Sequence, residues 1–315
     1  MIHSSIPSSS PSVRTGSDLV PSQSDSAPTS DSPIGELVST AVRRLAASGA
    51  DAPRITALAM LEAVTGLSRE AILARPERTA DAERAEKFKA MVTRRCSREP
   101  LAYILGVREF YGREFDVDRS TLIPRAESEG LVDLALAAID AQSGHRHVLD
   151  VGTGSGALAV TLLAERPDVE GVATDVDLPA LVVARRNAQR HNVAHRLHFV
   201  ASSLADALQT AFPLVIANLP YVPTARLAEL APEVARFEPR IALDGGPDGM
   251  NMISSLLRAL PRILTADGFA LFEIDESHGA ELSARARAAL PECSVRVVRD
   301  ARGDDRYLVV ERGAQ

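Results

Sequence analysis

Cysteine is scarce in this chain of 315 residues: only Cys96 and Cys293 occur, far apart and without a Cys-x-x-Cys spacing. That excludes a disulfide framework and gives no thiolate metal site, and a reducing cytoplasm is the expected compartment. Long apolar runs are lacking too. None approaches bilayer length, and the first residues have neither the basic start nor the apolar core of a secretory signal, so a soluble protein is expected. Positive charge is not in excess either, because the formal net charge is -7. Bulk attraction to nucleic acid or to an acidic membrane is therefore excluded as the main binding force, and a protein or small-molecule partner is favoured. Six of the seven histidines fall in the tail, in loops or on polar helix ends, and none pairs with other ligands at a zinc-like spacing, so no metal is implied.

What is present is enough apolar residue, 45% of the chain, to fill one sizeable α/β core and a smaller one. Residues 1–33 are dominated by Ser and Pro and are expected to be a disordered tail; Asp18, Asp25 and Asp31 count against an organelle transit peptide. From 34 to 100 apolar residues recur at helical spacing, as in Leu37, Val38, Ala41, Val42 and Leu45, which predicts a small domain of four or five helices. Residues 101–123 cluster aromatic and branched residues around Gly106 and Gly112, predicting strand-like runs and a linking β-hairpin. In 124–315 strands and helices alternate, which predicts a doubly wound, mostly parallel α/β sheet. The last two strands, around SVRVV and YLVVE, are joined too tightly for a crossover helix and should pair antiparallel.

Two segments carry chemistry. Asp150-Val151-Gly152-Thr153-Gly154-Ser155-Gly156 follows a strand and opens a helix, so that the backbone can approach a ligand where helix N–H groups are free. Asp175 ends the next strand, placed to accept hydrogen bonds from ribose hydroxyls. Gly152, Gly154 and Ala157 also satisfy the dinucleotide pattern, and this loop alone leaves NAD open. Asp150 tilts the choice toward S-adenosylmethionine, whose amino group it can accept from, while it would repel a pyrophosphate. The fourth strand of the alternation then runs into Asn218-Leu219-Pro220-Tyr221 at the edge of the sheet where open α/β folds bind ligands. The Asn218 oxygen and the Leu219 carbonyl can each accept an N–H of a planar amide, with the Tyr221 ring against its flat face. Pro220 completes the turn.

Together these residues resemble the protein glutamine N5-methyltransferases of the HemK/PrmC type. The match runs over about residues 34–312. It includes Tyr103 to Gly106, Glu109 to Gly112, Pro124-Arg125 with Glu127 and Glu129, the glycine loop and Asp175. It continues through Pro232-Glu233-Val234, Phe237 to Arg240, Ala242 to Gly246, Asp248-Gly249, Asp300, Gly303 and Arg306. The resemblance implies a class I S-adenosylmethionine-dependent methyltransferase fold with an antiparallel final strand among seven. It further implies that the acceptor is the glutamine of the Gly-Gly-Gln loop in class 1 peptide-chain release factors. The helical domain and hairpin then help hold the release factor, and Pro124, Arg125 and Glu127 form a wall of the donor pocket.

Four positions depart from the family pattern. Leu219 replaces the first proline of Asn-Pro-Pro-Tyr, Ser202-Ser203 replace Gly-Asp with Ser203 on the adenine side, and His278 replaces a Gln. Asn-Leu-Pro-Tyr is also the form of rRNA adenine dimethyltransferases, so an RNA adenine acceptor is one alternative. A non-catalytic module that binds the donor is another. A monomer without direct nucleic-acid contact is the expected state. Cys96, beside Arg94, Arg95 and Arg98, is expected to be passive.

Overall fold

The computed structural model describes residues 31–141 and 146–313; the tail expected over residues 1–33 lies outside them up to residue 30. Residues 31–33, grouped with that tail by composition, are placed. Strand β1 (Ser32–Pro33) pairs antiparallel with β2 (Thr79–Ala80), and the Ile34 amide donates to the Arg78 carbonyl at 2.8 Å. Around this clip lie helices α1 (Ile34–Ala47), α2 (Pro53–Thr65), α3 (Arg69–Ala74) and α4 (Ala82–Cys96). In α1 the buried residues Leu37, Ala41 and Leu45 recur every four positions, one helix face. Pro53 starts α2 and Gly66 ends it, while Asp81 caps α4 by accepting from the Arg84 amide at 2.8 Å. Their apolar faces meet in one core with Met60, Leu61 and Phe88.

The expected strand-like run from residue 101 is corrected in its first half. Leu101–Leu105 is a short helix, α5, entered from Pro100 and stopped by Gly106, with Tyr103 and Ile104 buried. A hairpin follows as β3 (Val107–Phe110) and β4 (Arg113–Asp116), whose Phe110 and Phe115 rings meet edge to face at 6.0 Å in the main core.

The remaining chain builds the large sheet. After a single turn at Ala126–Ser128 come α6 (Glu129–Ala141), β5 (Arg146–Val151), α7 (Ala157–Glu165), β6 (Val169–Asp175), α8 (Leu178–Arg190), β7 (Leu197–Ala201) and β8 (Phe212–Ala217). A loop carrying α9 (Pro232–Phe237) leads to α10 (Asn251–Ile263), β9 (Leu264–Glu273), α11 (Gly279–Ala289), β10 (Cys293–Arg299) and β11 (Asp305–Arg312). Strand β9 begins about five residues before the expected 269, because Leu264 already pairs with Phe212.

The seven strands lie in the order β10-β11-β9-β8-β5-β6-β7, with β11 antiparallel to both its neighbours and the others parallel. This is the class I S-adenosylmethionine-dependent methyltransferase sheet, antiparallel final strand included. Alternation sorts side chains to two layers: Val148, Leu214 and Ile216 face α6 and α7, whereas Leu149, Val151, Val215 and Ala217 face α10 and α11. The chain winds from β5 outward to β7, then returns to β8 on the opposite side of β5. The crevice at that reversal, outside the carboxyl ends of β5 and β8, is where such sheets bind ligands. No described helix is long and apolar enough to cross a membrane.

Candidate active site

The glycine loop leaves β5 at this reversal. Gly152 sits at φ +73°, a left-handed conformation costly for any residue with a Cβ, and an added Cβ would come within 2.8 Å of Leu219 Cδ2. The left-handed backbone favours glycine there, and the loop lies close against the Leu219 side chain of the Asn218 turn. The Gly154 amide donates to Asp175 Oδ2 at 2.8 Å and the Asp177 amide to Asp175 Oδ1 at 2.9 Å, which ties the loop to the end of β6. Burial pushes the Asp175 carboxyl above its usual value, although the two amides favour its charge.

A cavity of about 330 Å³ opens above the loop. Of the residues singled out in the sequence, Pro124, Arg125, Gly152, Thr153, Gly154, Asp175, Ser203, Asn218, Leu219 and Pro220 line it together. Val176 and Ile241, each 57% exposed, form an apolar rim. Among the described residues Arg125 is the single basic side chain of the lining, and it is paired at 2.5 Å with Glu238. With that guanidinium engaged and Asp175 in the wall, the lining suits a cationic, hydroxyl-bearing ligand and not a pyrophosphate. Residues Asp175, Ser203 and Gly154 could thus hold S-adenosylmethionine.

Three expected donor residues do not line the cavity. Asp150 is fully buried beneath the loop, where its Oδ2 accepts from Thr153 Oγ1 at 2.6 Å and from the Ala159 amide at 3.3 Å. Burial pushes this carboxyl up to about 7, and its Oδ1 has no hydrogen-bond partner among the described residues. Gly156 packs against Ala184 at the start of α7. Glu127 forms an ion pair with Arg302 at 3.2 Å, and Glu129 accepts from the Tyr111 amide at 2.9 Å, which anchors the hairpin tip.

A second cavity of about 390 Å³ shares Leu122, Arg125, Asn218, Leu219 and Ala242 with the first and extends to Tyr221, Asp275 and Arg306. Asn218 thus stands in the partition between two adjoining spaces. The loop after α9 fixes this partition from behind: the Val222 amide donates to the Leu243 carbonyl at 3.0 Å and the Gly245 amide to the Val222 carbonyl at 2.9 Å. A Cβ on Gly245 would lie 2.7 Å from the Pro220 carbonyl oxygen, so the Asp244-Gly245-Gly246 run is what allows the close approach.

Sequence reasoning passed over two residues at the partition. Asn218 Nδ2 donates to Ser128 Oγ at 3.0 Å, Ser128 Oγ donates to Glu273 Oε2 at 2.6 Å, and Tyr221 OH donates to Glu273 Oε1 at 3.3 Å. Burial raises the Tyr221 hydroxyl well above its ordinary range, with the nearby Glu273 charge adding to the effect, so it stays a neutral donor. Glu273 could have been noticed as an acid ending the apolar strand FALFE; Ser128 carries no such signal.

The departures settle differently. Ser202 and Ser203 both line the first cavity, while His278 is buried at the start of α11 and lines neither cavity. The arginines beside Cys96 are committed elsewhere, Arg94 to Glu99 and both Arg95 and Arg98 to Glu233. Among the described residues no group of three or more His, Cys, Asp or Glu could hold a metal ion.

A family model described as PrmC N-terminal domain matches residues 36–106, and one described as Methyltransferase small domain matches residues 132–233. The chain is 39% identical over 290 residues to a release factor glutamine methyltransferase of Nitratidesulfovibrio vulgaris, covering 91% of this chain and 97% of that protein. A namesake from Rhodospirillum rubrum is 36% identical over 285 residues, covering 89% of this chain and 86% of its own. Another from Cereibacter sphaeroides is 39% identical over 272 residues, with 85% and 94% covered. With similarity running through the helical segment, the glycine loop and the Asn218 turn alike, the chain belongs to the release factor glutamine methyltransferase family.

Proposed function

We propose that this protein transfers a methyl group from S-adenosylmethionine to the side-chain amide nitrogen of a glutamine in the Gly-Gly-Gln loop of class 1 release factors. It would do so as a cytoplasmic monomer without direct nucleic-acid contact. The observation that carries this is Asn218 standing between a donor-type cavity and a second cavity open to an acceptor. When bound, S-adenosylmethionine supplies a methyl on a sulfonium whose thioether leaves without an acid. An amide nitrogen is a weak nucleophile because its lone pair is delocalised, so orientation must contribute much of the rate. Asn218 Oδ1 and the Leu219 carbonyl accept the two N–H groups of the glutamine, holding its nitrogen at the partition, and Tyr221 covers the amide face. As the nitrogen gains the methyl it loses one proton, with water or Asn218 as first recipient.

The RNA adenine alternative rested on Leu219. It is weakened by the net charge of -7 and by full-length relatives named for release factors. The test is incubation with a class 1 release factor and methyl-labelled donor. Label on the loop glutamine is expected from the native protein and none from Asn218→Ala; no transfer at saturating donor would sink the proposal. Labelled ribosomal RNA in the same assay would promote the alternative.

A further inference from the structure

Behind Asn218 lies a buried hydrogen-bond relay whose direction is set by proton count. Ser128 is 4% exposed, on the wall of the first cavity, and Glu273 behind it is 1% exposed and shut off from bulk solvent. An ionised carboxylate only accepts, and a serine hydroxyl owns one proton. At 2.6 Å from Glu273, Ser128 commits that proton to the carboxylate and keeps only lone pairs for its other neighbour. The neighbour is the Asn218 amide, which must then turn its N–H toward Ser128 and its oxygen away. With Nδ2 held there at 3.0 Å, Oδ1 is the atom left for the cavities that Asn218 lines.

We propose that Glu273 is a positioning residue: acting through Ser128, it fixes the flip state of the Asn218 amide so that an acceptor oxygen faces the substrate nitrogen. This rests on the role given to Asn218 above and specifies how that role is enforced. Without the carboxylate the two amide orientations become closely matched in energy. The wrong one would set an Asn218 N–H against a substrate N–H.

The relay has a pH signature. Glu273 is faced by Ser128 and Glu127 from the turn before α6, by Tyr221 from the segment after β8, and by Arg306 and Tyr307 from β11. Burial raises its carboxyl above the usual value, with Glu127 adding to the rise, while Ser128, Arg306 and Tyr221 oppose it. Once protonated, Glu273 can donate to Ser128, Ser128 can turn its own proton on Asn218, and the amide is free to flip. Turnover should therefore fall on the acid side as that proton binds.

The experiment measures kcat, KM for a class 1 release factor, donor Kd and the pH dependence of kcat for the native protein, Glu273→Gln, Ser128→Ala, Ser128→Thr and Asn218→Ala. In Glu273→Gln and Ser128→Ala, kcat should fall by about tenfold or more, with KM and donor Kd within about threefold, the pattern of lost orientation. Ser128→Thr, which keeps the hydroxyl, should recover most of the loss suffered by Ser128→Ala. The acid limb of the native profile should disappear in Glu273→Gln. Unchanged kcat in folded Glu273→Gln with the acid limb intact overturns the relay while leaving methyl transfer standing. If Glu273→Gln does not fold, the serine pair decides: equal kcat in Ser128→Ala and Ser128→Thr overturns it. A native protein that methylates no release factor overturns the proposed function, and the relay with it.

Discussion

Replacing Asp150 by Asn removes a carboxyl that the fold holds at a cost. Asp150 is fully buried, its Oδ2 takes two hydrogen bonds and its Oδ1 none among the described residues. Burial lifts it from the usual 3.8 to about 7, with Asp175 pushing the same way and the Thr153 hydroxyl and Ala159 amide pulling back. Because the folded value lies above the unfolded one, its stabilising contribution is full below pH 3.8 and is lost as pH rises through 7. An asparagine does not titrate, so the native protein and Asp150→Asn should diverge over that window. Between pH 5 and 7, at about 1.36 kcal/mol per pH unit, the divergence comes to roughly 2–3 kcal/mol. The new amide also places an N–H where Oδ1 had no partner, a penalty of about 1–3 kcal/mol. That penalty is independent of pH, so it cancels when the two proteins are compared at two pH values. Urea unfolding of the ligand-free proteins at pH 5 and pH 8 should show Asp150→Asn gaining on the native protein by that amount. A constant difference, or one that shrinks as pH rises, would refute the account of Asp150 as a buried carboxyl forced to ionise. In the proposed function the charge has a use, because an ionised Asp150 beneath the glycine loop favours a cationic ligand above it.

Two further substitutions probe the frame of the site. Glu233→Ala leaves Arg95, with a side chain 6% exposed, without the carboxylate that reaches it from α9 at 2.9 Å. A loss of about 3–5 kcal/mol is expected by denaturant titration, and less than about 1 kcal/mol would mean that the pair is effectively solvated. Leu219→Ala empties a side chain buried with Met250 and Ile253, so stability should drop by about 2–5 kcal/mol. Because its backbone carbonyl survives, the protein should retain more turnover than Asn218→Ala; equal inactivity in single-turnover assays would assign the side chain a direct role.

The sheet was legible because its signal is periodic and repeated. Each parallel strand is a short apolar run followed by a helix, and the tight connection between β10 and β11 betrayed the antiparallel end. Where the signal was shorter than its period, it misled. Leu101–Leu105 is five residues long, too few to separate period 2 from period 3.6, and Pro100 and Gly106 bound a helical turn as readily as a strand. The β1 and β2 pair has two residues on each side and no pattern to read; long-range contacts hold it, including Gly35 to Pro76 at 2.9 Å.

The site divides along the same line. The glycine loop and the Asn218 turn are each a contiguous run of sequence, so each could be picked out from adjacent residues. The relay is not contiguous: Ser128 and Glu273 stand 145 positions apart and meet only because α6 and β9 are brought together behind the partition. Asp150 shows the converse. It is adjacent to the loop in sequence and was expected to face the donor, yet alternation along β5 turns its side chain under the loop onto Thr153 and the start of α7. Sequence neighbours therefore marked which segments meet at the cavity. Which side chains line a cavity, and which lie buried behind it, follows from strand register and long-range packing.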